Sequence, residues 1–516
     1  MGTGELAHRS DAYANGSKVL LGRWAYDHKK DKDGIMFAKA RYTVMGCFQT
    51  EGVDYGETFA PVMNLKSFRI QLSIVNLSED CEIEQWDVSS AYLYAYLDEK
   101  VFCDQPHGHE DPAHPKMCWR LLKSLYGLKN AGRNWNLLLN DILSKAGMKP
   151  IPCDPGSFVV VEGKGWLFIC IHVDDIFPAY NKEGKHIRDR VAKILSAHVK
   201  IEFLGELDWA LKMRVYRDKK AGIMKLSQEN FVWEFLTRFN LLNIKGSESP
   251  TDPKTSLPPA SEVTDEEVDS MKDYPVREII GCFLWLAQIS RPDIAVATHC
   301  AARSQHRPSK ILWRWIIRIA RYLKSTAHWG IVWTRPLDFA KTRLLEQWVD
   351  ASFAPNPETN RGKSIIGYVV KFLGMTTHWK TMMSKRVCDS SSEAEINGLN
   401  EVRKENRWQL DLQNYLGLFK PDGPTLTWED NTAAIQLTKP ATCHKRSKHF
   451  GIEWYATKEA IELGEMEVQF VPTDYQDADL LTKPTNGQTF LSPRDEIMGP
   501  LILQKYFGTM LPPQPK

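Results

Sequence analysis

The chain has 516 residues, of which 43% are hydrophobic and 11% aromatic, apolar enough for about three to four packed units and too apolar for a disordered chain. Its 66 basic and 64 acidic side chains leave a net charge of +2, so no global field marks out a partner and any basic face must be sought locally. Ten scattered cysteines without a Cys-x-x-Cys pair argue against a disulfide framework and a Cys-rich zinc site, and no run approaches the ~20 apolar residues of a membrane span.

Residues 1–23 are polar and patternless, which predicts a flexible lead-in. Met1-Gly-Thr-Gly-Glu-Leu6 has neither a signal-peptide core nor the Ser or Thr at position 6 that myristoylation needs, so an intracellular protein is expected. The stretch Glu82-Ile-Glu-Gln-Trp-Asp87 alternates as a half-buried strand and ends in an acid. From Pro115 to Lys149 seven Lys or Arg accompany one acid. Next, Leu167-Phe-Ile-Cys-Ile-His-Val173 is an apolar run of strand length, and Ile176-Phe-Pro-Ala-Tyr180 can return beside it, which predicts a hairpin with Asp174 and Asp175 at its tip. A lone Asp pair is also common in solvated turns. Two adjacent carboxylates repel unless a cation holds them, and with Asp87 they make a hard oxygen site suited to Mg²⁺. Two such ions about 3.5–4 Å apart could activate a 3′-hydroxyl and steady a leaving pyrophosphate.

Residues 250–275 are rich in Pro, Ser and acids and read as a linker, and residues 276–343 read as helical. Within them, Arg303 to Thr326 holds seven Lys or Arg and no acid. Lys310, Arg314, Arg318 and Arg321 recur at helical spacing, opposite Leu312, Trp315, Ile316, Ile319 and Leu323. The spacing alone leaves open a solvated face or a track for a phosphate backbone. Then Leu344-Leu-Glu-Gln-Trp-Val-Asp350 is a second strand ending in an acid, and Ser364–Phe372 and Thr376–Thr381 follow as strands. Ser390 caps a helix running to about Leu416, with Glu393 and Glu395 near its start. Thr425-Leu-Thr-Trp-Glu-Asp430 ends another strand, and Met466–Val471 leads to Asp477-Ala-Asp479. Residues 484–516 read as an irregular tail. Cys443, His444 and His449 are the nearest approach to a metal cluster, but no second ligand pair accompanies them.

Asp87-Val88, Tyr92 five residues after that acid, and Val173-Asp-Asp resemble the palm of a reverse transcriptase. Lys39-Ala-Arg41, Gly52-Val-Asp-Tyr55, Glu57-Thr-Phe-Ala-Pro-Val62, Gln105-Pro106 with Gly108, and Lys123-Ser-Leu-Tyr-Gly-Leu-Lys129, in this order, are similar to the copia-type LTR retrotransposon polymerase. Likewise, the order strand-end Asp, helix-start Glu, strand-end Asp and helix-start Asp resembles the RNase H that follows that polymerase. Four positions depart from the family pattern: Met45, Gly132, His172 and Leu211-Lys212. None is an expected metal ligand.

The resemblance implies an α+β and α/β protein: a right-hand-like polymerase with fingers, palm and thumb, followed by an RNase H-like domain on a central mixed five-stranded sheet. Its expected limits are 24–249 for fingers and palm, 276–343 for a helical thumb or connection, and 344–483 for the nuclease. Asp87, Asp174 and Asp175 would form the polymerase centre, with Asp87 and Asp174 bridging the ions. Lys39, Arg41, Val88, Tyr92, Tyr126 and Gly127 would meet the nucleotide. Asp350, Glu395, Asp430 and Asp479 would hold metal in the nuclease, Glu393 being the rival of Glu395. Lys310, Arg314, Arg318, Arg321, Lys448 and His449 would touch nucleic acid. Two Mg²⁺ per centre, with Mn²⁺ as a substitute, and RNA template, DNA primer, RNA/DNA hybrid and deoxynucleoside triphosphates as partners complete the expectation. Integrase and capsid proteins of the same element would be further partners, in cytoplasmic virus-like particles and the nucleus. The competing expectation is a decayed or domesticated remnant that binds nucleic acid without efficient catalysis.

Overall fold

The structure, a computed structural model, describes residues 2–30, 36–355, 357–439 and 451–504. The chain forms two compact units, residues 1–67 with 82–206, and residues 68–81 with 207–516. Among the described residues no helix is long and apolar enough to cross a membrane.

The first unit is built on a six-stranded antiparallel sheet. Glu82–Val88 lies between Ile201–Glu206 and Asp175–Tyr180, and Gly165–His172, Asp154–Glu162 and Lys149–Ile151 follow outward. Ile83, Trp86 and Val88 are buried from the central strand. Helix Ala131–Lys145 buries Trp135, Leu139, Ile142 and Leu143, and helix Lys185–His198 buries Ile187, Val191 and Leu195, each at turn-by-turn spacing. These stripes meet Trp86, Val88, Ile169, Ile171 and Ile176 in one core, so one face of the sheet is closed by helices.

A second sheet in this unit orders Gly4–Ala7, Cys118–Lys123, Tyr96–Asp104 and Val19–Leu20, and Gly22–Lys30 pairs with Met36–Val44 in a two-stranded ribbon. The expected flexible lead-in is therefore corrected. Gly4 to Ala7 pair in register with Leu121 to Cys118, and Ala12 and Leu20 are buried. Edge strands of two to four residues carry too little apolar pattern to be read alone, and the partner strand supplies their order.

In the second unit, Trp209–Ala210, Met213–Asp218, Ile223–Ser227 and Gly330–Thr334 form an antiparallel sheet. Between its last two strands come helices Glu229–Arg238, Val276–Ile289, Ala295–Ser304 and Lys310–Ser325. The last buries Leu312, Trp315, Ile316, Ile319 and Leu323, the side expected to be inward. The linker expected at 250–275 is packed instead: Thr251 is buried and bonds Thr485 O at 2.9 Å, and Leu257, Val263 and Met271 are buried. The tail expected to be irregular contains helix Gln488–Met498, whose Phe490, Ile497 and Met498 are buried. Gln504 then bonds Gly330 O at 2.7 Å.

The C-terminal sheet has the expected mixed five-stranded, RNase H-like form. Met375–Val387, Lys363–Phe372 and Leu345–Ser352 are antiparallel, and Thr425–Glu429 and Met466–Phe470 then run parallel to Leu345–Ser352. Helix Ser391–Leu416 packs on it through Ile396, Leu399 and Val402 against Val349 and Tyr368.

Candidate active sites

The first site is the hairpin of Gly165–His172 and Asp175–Tyr180, turned by Val173 and Asp174. Val173 has φ +59°. A β-branched residue in left-handed backbone is strained, at a cost of roughly 1–3 kcal/mol. The indole Nε1–H of Trp135 donates to Val173 O at 2.7 Å, and Val88 N–H donates to Asp174 O at 3.0 Å. Across the sheet, His172 pairs with Asp175, Asp175 with Asp87, and Asp87 with Glu202, so these four side chains share one face. Gln85 Nε2 donates to Asp175 Oδ1 at 3.2 Å. Of the hairpin acids, Asp175 stands opposite Asp87, and Glu202, which the sequence reading missed, lies in the same row. The N–H of Val88 is given to Asp174 O, so the contact expected between the Val88 backbone and a triphosphate would not use that N–H.

A basic and aromatic wall stands by this hairpin. The Arg41 guanidinium lies 5.7 Å from the centre of the Tyr126 ring, and Tyr126 meets Tyr92 edge-on at 5.3 Å. Burial pushes the Tyr92 hydroxyl pKa up, and the charge of Asp174 pushes it further. Lys39, opposite Asp27 in the ribbon, points to the same side as Arg41, which is opposite Ala25. At Gly127, φ is +91° and a Cβ would lie 2.1 Å from Val44 O, while Val44 N–H donates to Tyr126 O at 2.8 Å. Gly127 thus allows two backbones to cross closely and holds Tyr126 in place.

In the second site, Asp350 is 5% exposed on the middle strand of the mixed sheet. Glu395 is one turn into helix Ser391–Leu416, and a Cβ at Gly398 would lie 3.0 Å from Val349 Cγ2, so the missing side chain lets the helix sit close on the strand. Ser390 Oγ accepts Glu393 N–H at 3.2 Å, and Glu393 Oε2 accepts Asp389 N–H at 2.7 Å. Ser390 thus caps the helix, and Glu393 ties back to the residue before the cap, a helix-start role that leaves Glu395 to the site. Asp430 follows strand Thr425–Glu429 and accepts the Thr473 hydroxyl at 2.9 Å. Oxygens of Asp350, Glu395 and Asp430 all lie within 4.8 Å of one another, the one such group of three among the described residues. Asp87, Asp174 and Asp175 are more open.

Asp479 arrives on a short 3₁₀ turn, Asp477–Leu481, rather than at an α-helix start. Lys371 Nζ pairs with Asp477 at 2.7 Å, Gln476 bonds Val349 O at 3.0 Å, and Thr381 bonds Leu481 O at 2.9 Å. A Cβ at Gly367 would meet Leu481 Cβ at 2.7 Å, so the turn rests directly on the sheet. Thr482 donates to Asp350, and Lys483 pairs with Asp479 at 2.8 Å.

Burial first, and the charge of Asp479 second, push the Asp350 carboxyl up to about 7. Glu395 is raised by burial and then by Glu429. Glu429 is a further acid the sequence reading missed: 0% exposed, its Oε1 accepts Asn431 N–H at 3.0 Å and its Oε2 is buried without a hydrogen bond. The period-two series Thr425, Thr427, Glu429, all buried, was the available signal. Hard carboxylate donors close together, with Glu395 Oε2 also lacking a hydrogen bond, fit a divalent cation at Asp350, Glu395 and Asp430.

The basic face of helix Lys310–Ser325 divides in two. Lys310 and Arg314 are exposed. Arg321 Nε bonds Lys245 O at 2.7 Å, Arg318 bonds Ser249 Oγ at 3.1 Å and Lys324 bonds Ile244 O at 2.7 Å. Arg318 and Arg321, expected on nucleic acid, instead fasten the segment 244–249, whose carbonyls need donors once water is excluded. Lys448 and His449, with Cys443 and His444, lie outside the described residues.

The sequence of this site-bearing chain matches known polymerases. Residues 12–253 match the family described as reverse transcriptase (RNA-dependent DNA polymerase). The retrovirus-related Pol polyprotein of transposon TNT 1-94 from Nicotiana tabacum is 30% identical over 474 residues, covering 91% of this chain and 35% of that protein. That of transposon RE1 from Arabidopsis thaliana is 31% identical over 471 residues, covering 91% of this chain and 31% of that protein. The chain is thus similar to retrotransposon Pol polyproteins over nine-tenths of its length, its first half matching the reverse transcriptase family, and it spans about a third of the length of these relatives. Among solved structures, a foamy viral protease-reverse transcriptase in complex with double-stranded DNA aligns over 89% of this chain and 68% of its own, with a TM-score of 0.43 and 12% identity.

Proposed function

We propose that the chain copies RNA into DNA and cleaves RNA in RNA/DNA hybrids, one centre in each unit. The observation that carries this is the pairing of Asp87 with Asp175 beside a turn bearing Asp174, with Arg41, Tyr126 and Tyr92 forming a wall next to it. Asp87 and Asp174 hold the cation side of the polymerase centre, with Asp175 braced by Gln85 in support. Arg41 and Lys39 neutralise the triphosphate. The Tyr92 ring fills the space a 2′-hydroxyl needs and so favours deoxynucleotides. In the second unit Asp350, Glu395, Asp430 and Asp479 hold the cation side, and 2′-hydroxyl contacts select the RNA strand. Mg²⁺ bound in pairs, or Mn²⁺ in its place, would supply charge neutralisation and a more acidic hydroxyl or water at each centre. Template, primer, hybrid and deoxynucleoside triphosphates are the partners on this reading, with other proteins of the element, integrase and capsid, around them in cytoplasmic particles and the nucleus.

Primer extension on an RNA template and cleavage of a labelled hybrid, run with Mg²⁺ on the same preparation, test both halves. Asp174→Asn with Asp175→Asn should lower extension by orders of magnitude and leave cleavage near its starting rate. Equal loss of both would show one shared site or misfolding, and absence of both from the folded parent chain would return the protein to the class of nucleic-acid-binding remnants.

A further inference from the structure

The residue that turns the polymerase hairpin, Val173, is held in left-handed backbone with φ +59°. Glycine adopts this without strain, and a β-branched side chain does not. What keeps it there is visible in the two peptide planes around Asp174. The plane between Asp174 and Asp175 is fixed by Val88, whose N–H donates to Asp174 O at 3.0 Å. The plane between Val173 and Asp174 is fixed by Trp135, whose Nε1–H donates to Val173 O at 2.7 Å. Because a peptide unit is rigid, orienting the Val173 carbonyl orients the Asp174 nitrogen bonded to it, and the two planes together set the direction of the Asp174 Cα–Cβ bond.

Trp135 is well placed to bear on that plane without moving. It lies in helix Ala131–Lys145, is 2% exposed, and packs in the core with Leu139, Ile171 and Ile176, while Val173 is half-buried against the same cluster. An indole fixed on all sides is a stiff donor, and its N–H is its single polar group.

We propose that Trp135 is a positioning residue for Asp174: one indole hydrogen bond holds a strained turn in the orientation that aims the carboxylate into the polymerase centre. This rests on the polymerase reading above. The strain gives the bond its importance, since a valine released from it has a lower-energy backbone to move to, and displacements of about 1 Å can cost on the order of 10²-fold in rate.

The test uses the full chain with Trp135→Phe, and with Trp135 replaced by benzothienylalanine, which keeps the two-ring shape and puts sulfur where the N–H was. Both should lower kcat for primer extension roughly 10- to 100-fold, with KM for nucleotide and affinity for primer and template within about twofold. Both should also speed amide hydrogen exchange at Val88 and residues 173–175. Adding Val173→Gly, which accepts the left-handed turn, should recover part of that protection. A benzothienylalanine protein with parental kcat and exchange overturns the proposal and leaves Trp135 a packing residue. Exchange is read without turnover, so it decides the role of Trp135 even if the parent chain fails to extend primers and the polymerase reading falls.

Discussion

Glu393 and Glu395, two residues apart on one helix, are both 5% exposed, yet one ties the helix start to Asp389 N–H and the other faces Asp350 and Asp430. Glu395→Gln should therefore abolish hybrid cleavage, whereas Glu393→Gln should lower stability by about 1 kcal/mol, the usual worth of a cap, and leave residual cleavage. The opposite ranking in a cleavage assay would mean the helix is read one register wrong. Tyr92, edge-on to Tyr126 at 5.3 Å, is half-buried and so has a packing role to exclude. Tyr92→Ala should raise ribonucleotide incorporation relative to deoxynucleotide, and an unaltered ratio in a folded, active variant would end the idea of a steric gate. Asp350 carries the pH dependence. Its folded carboxyl is raised to about 7, so the folded chain binds that proton more tightly than the unfolded chain does. Stability is then highest below the unfolded value near 3.9, falls as pH rises through the window, and carries the full penalty above about 7. Without divalent cations, Asp350→Asn should gain in melting temperature over the parent as pH rises from about 5 to 7.5, and Mg²⁺ should narrow the gap. A gap independent of pH and Mg²⁺ would show that Asp350 does not bear this repulsion.

The short turn Asp477–Leu481 sets Asp479 beside Asp350 although it has too few residues to hold itself, and the buried pair of Lys371 and Asp477 tethers it. Lys371→Met strands a buried carboxylate, a change worth about 3–5 kcal/mol, and should abolish cleavage while primer extension persists. Cleavage at the parental rate would show that the turn is held by its other contacts. The basic helix Lys310–Ser325 makes a second contrast. Arg321 bonds main-chain carbonyls and Arg314 is exposed, so Arg321→Ala should lower the melting temperature. Arg314→Ala should instead flatten the salt dependence of nucleic-acid binding by roughly 0.7 to 0.9 in slope per lost phosphate contact. Identical behaviour of the two in a salt titration would refute that division. Sequence could identify this helix and its buried side, since both follow from a 3.6-residue period. It could not tell which arginines face solvent, because the covering segment 244–249 shows no pattern of its own.

At the scale of the molecule, what sequence revealed was local. The acid-bearing hairpin follows from two apolar runs around Val173 and Asp174, and the helix Ser391–Leu416 from the Ser390 cap, and both stand where expected. Pairings between distant segments were hidden: Gly4–Ala7 with Cys118–Lys123, and Ile223–Ser227 with Gly330–Thr334, join strands whose partners no periodicity names. Glu429 escaped because its neighbour Asp430 matched a motif, although alternation placed Glu429 inside. The second unit also draws residues 68–81 into a body otherwise made of 207–516. Arg69, fully buried there, donates to Gln288 O at 2.5 Å, Ile289 O at 2.8 Å and Thr377 O at 3.2 Å, and lies over Trp379 at 4.2 Å. On the ribosome this becomes a matter of time: Thr377 is made 308 residues after Arg69, roughly 15 to 60 s later at about 5–20 residues per second. Throughout that interval the helix carrying Arg69 lacks part of its native binding partners, so the nascent chain exposes a segment for which a chaperone, or a neighbouring copy on the same message, can compete.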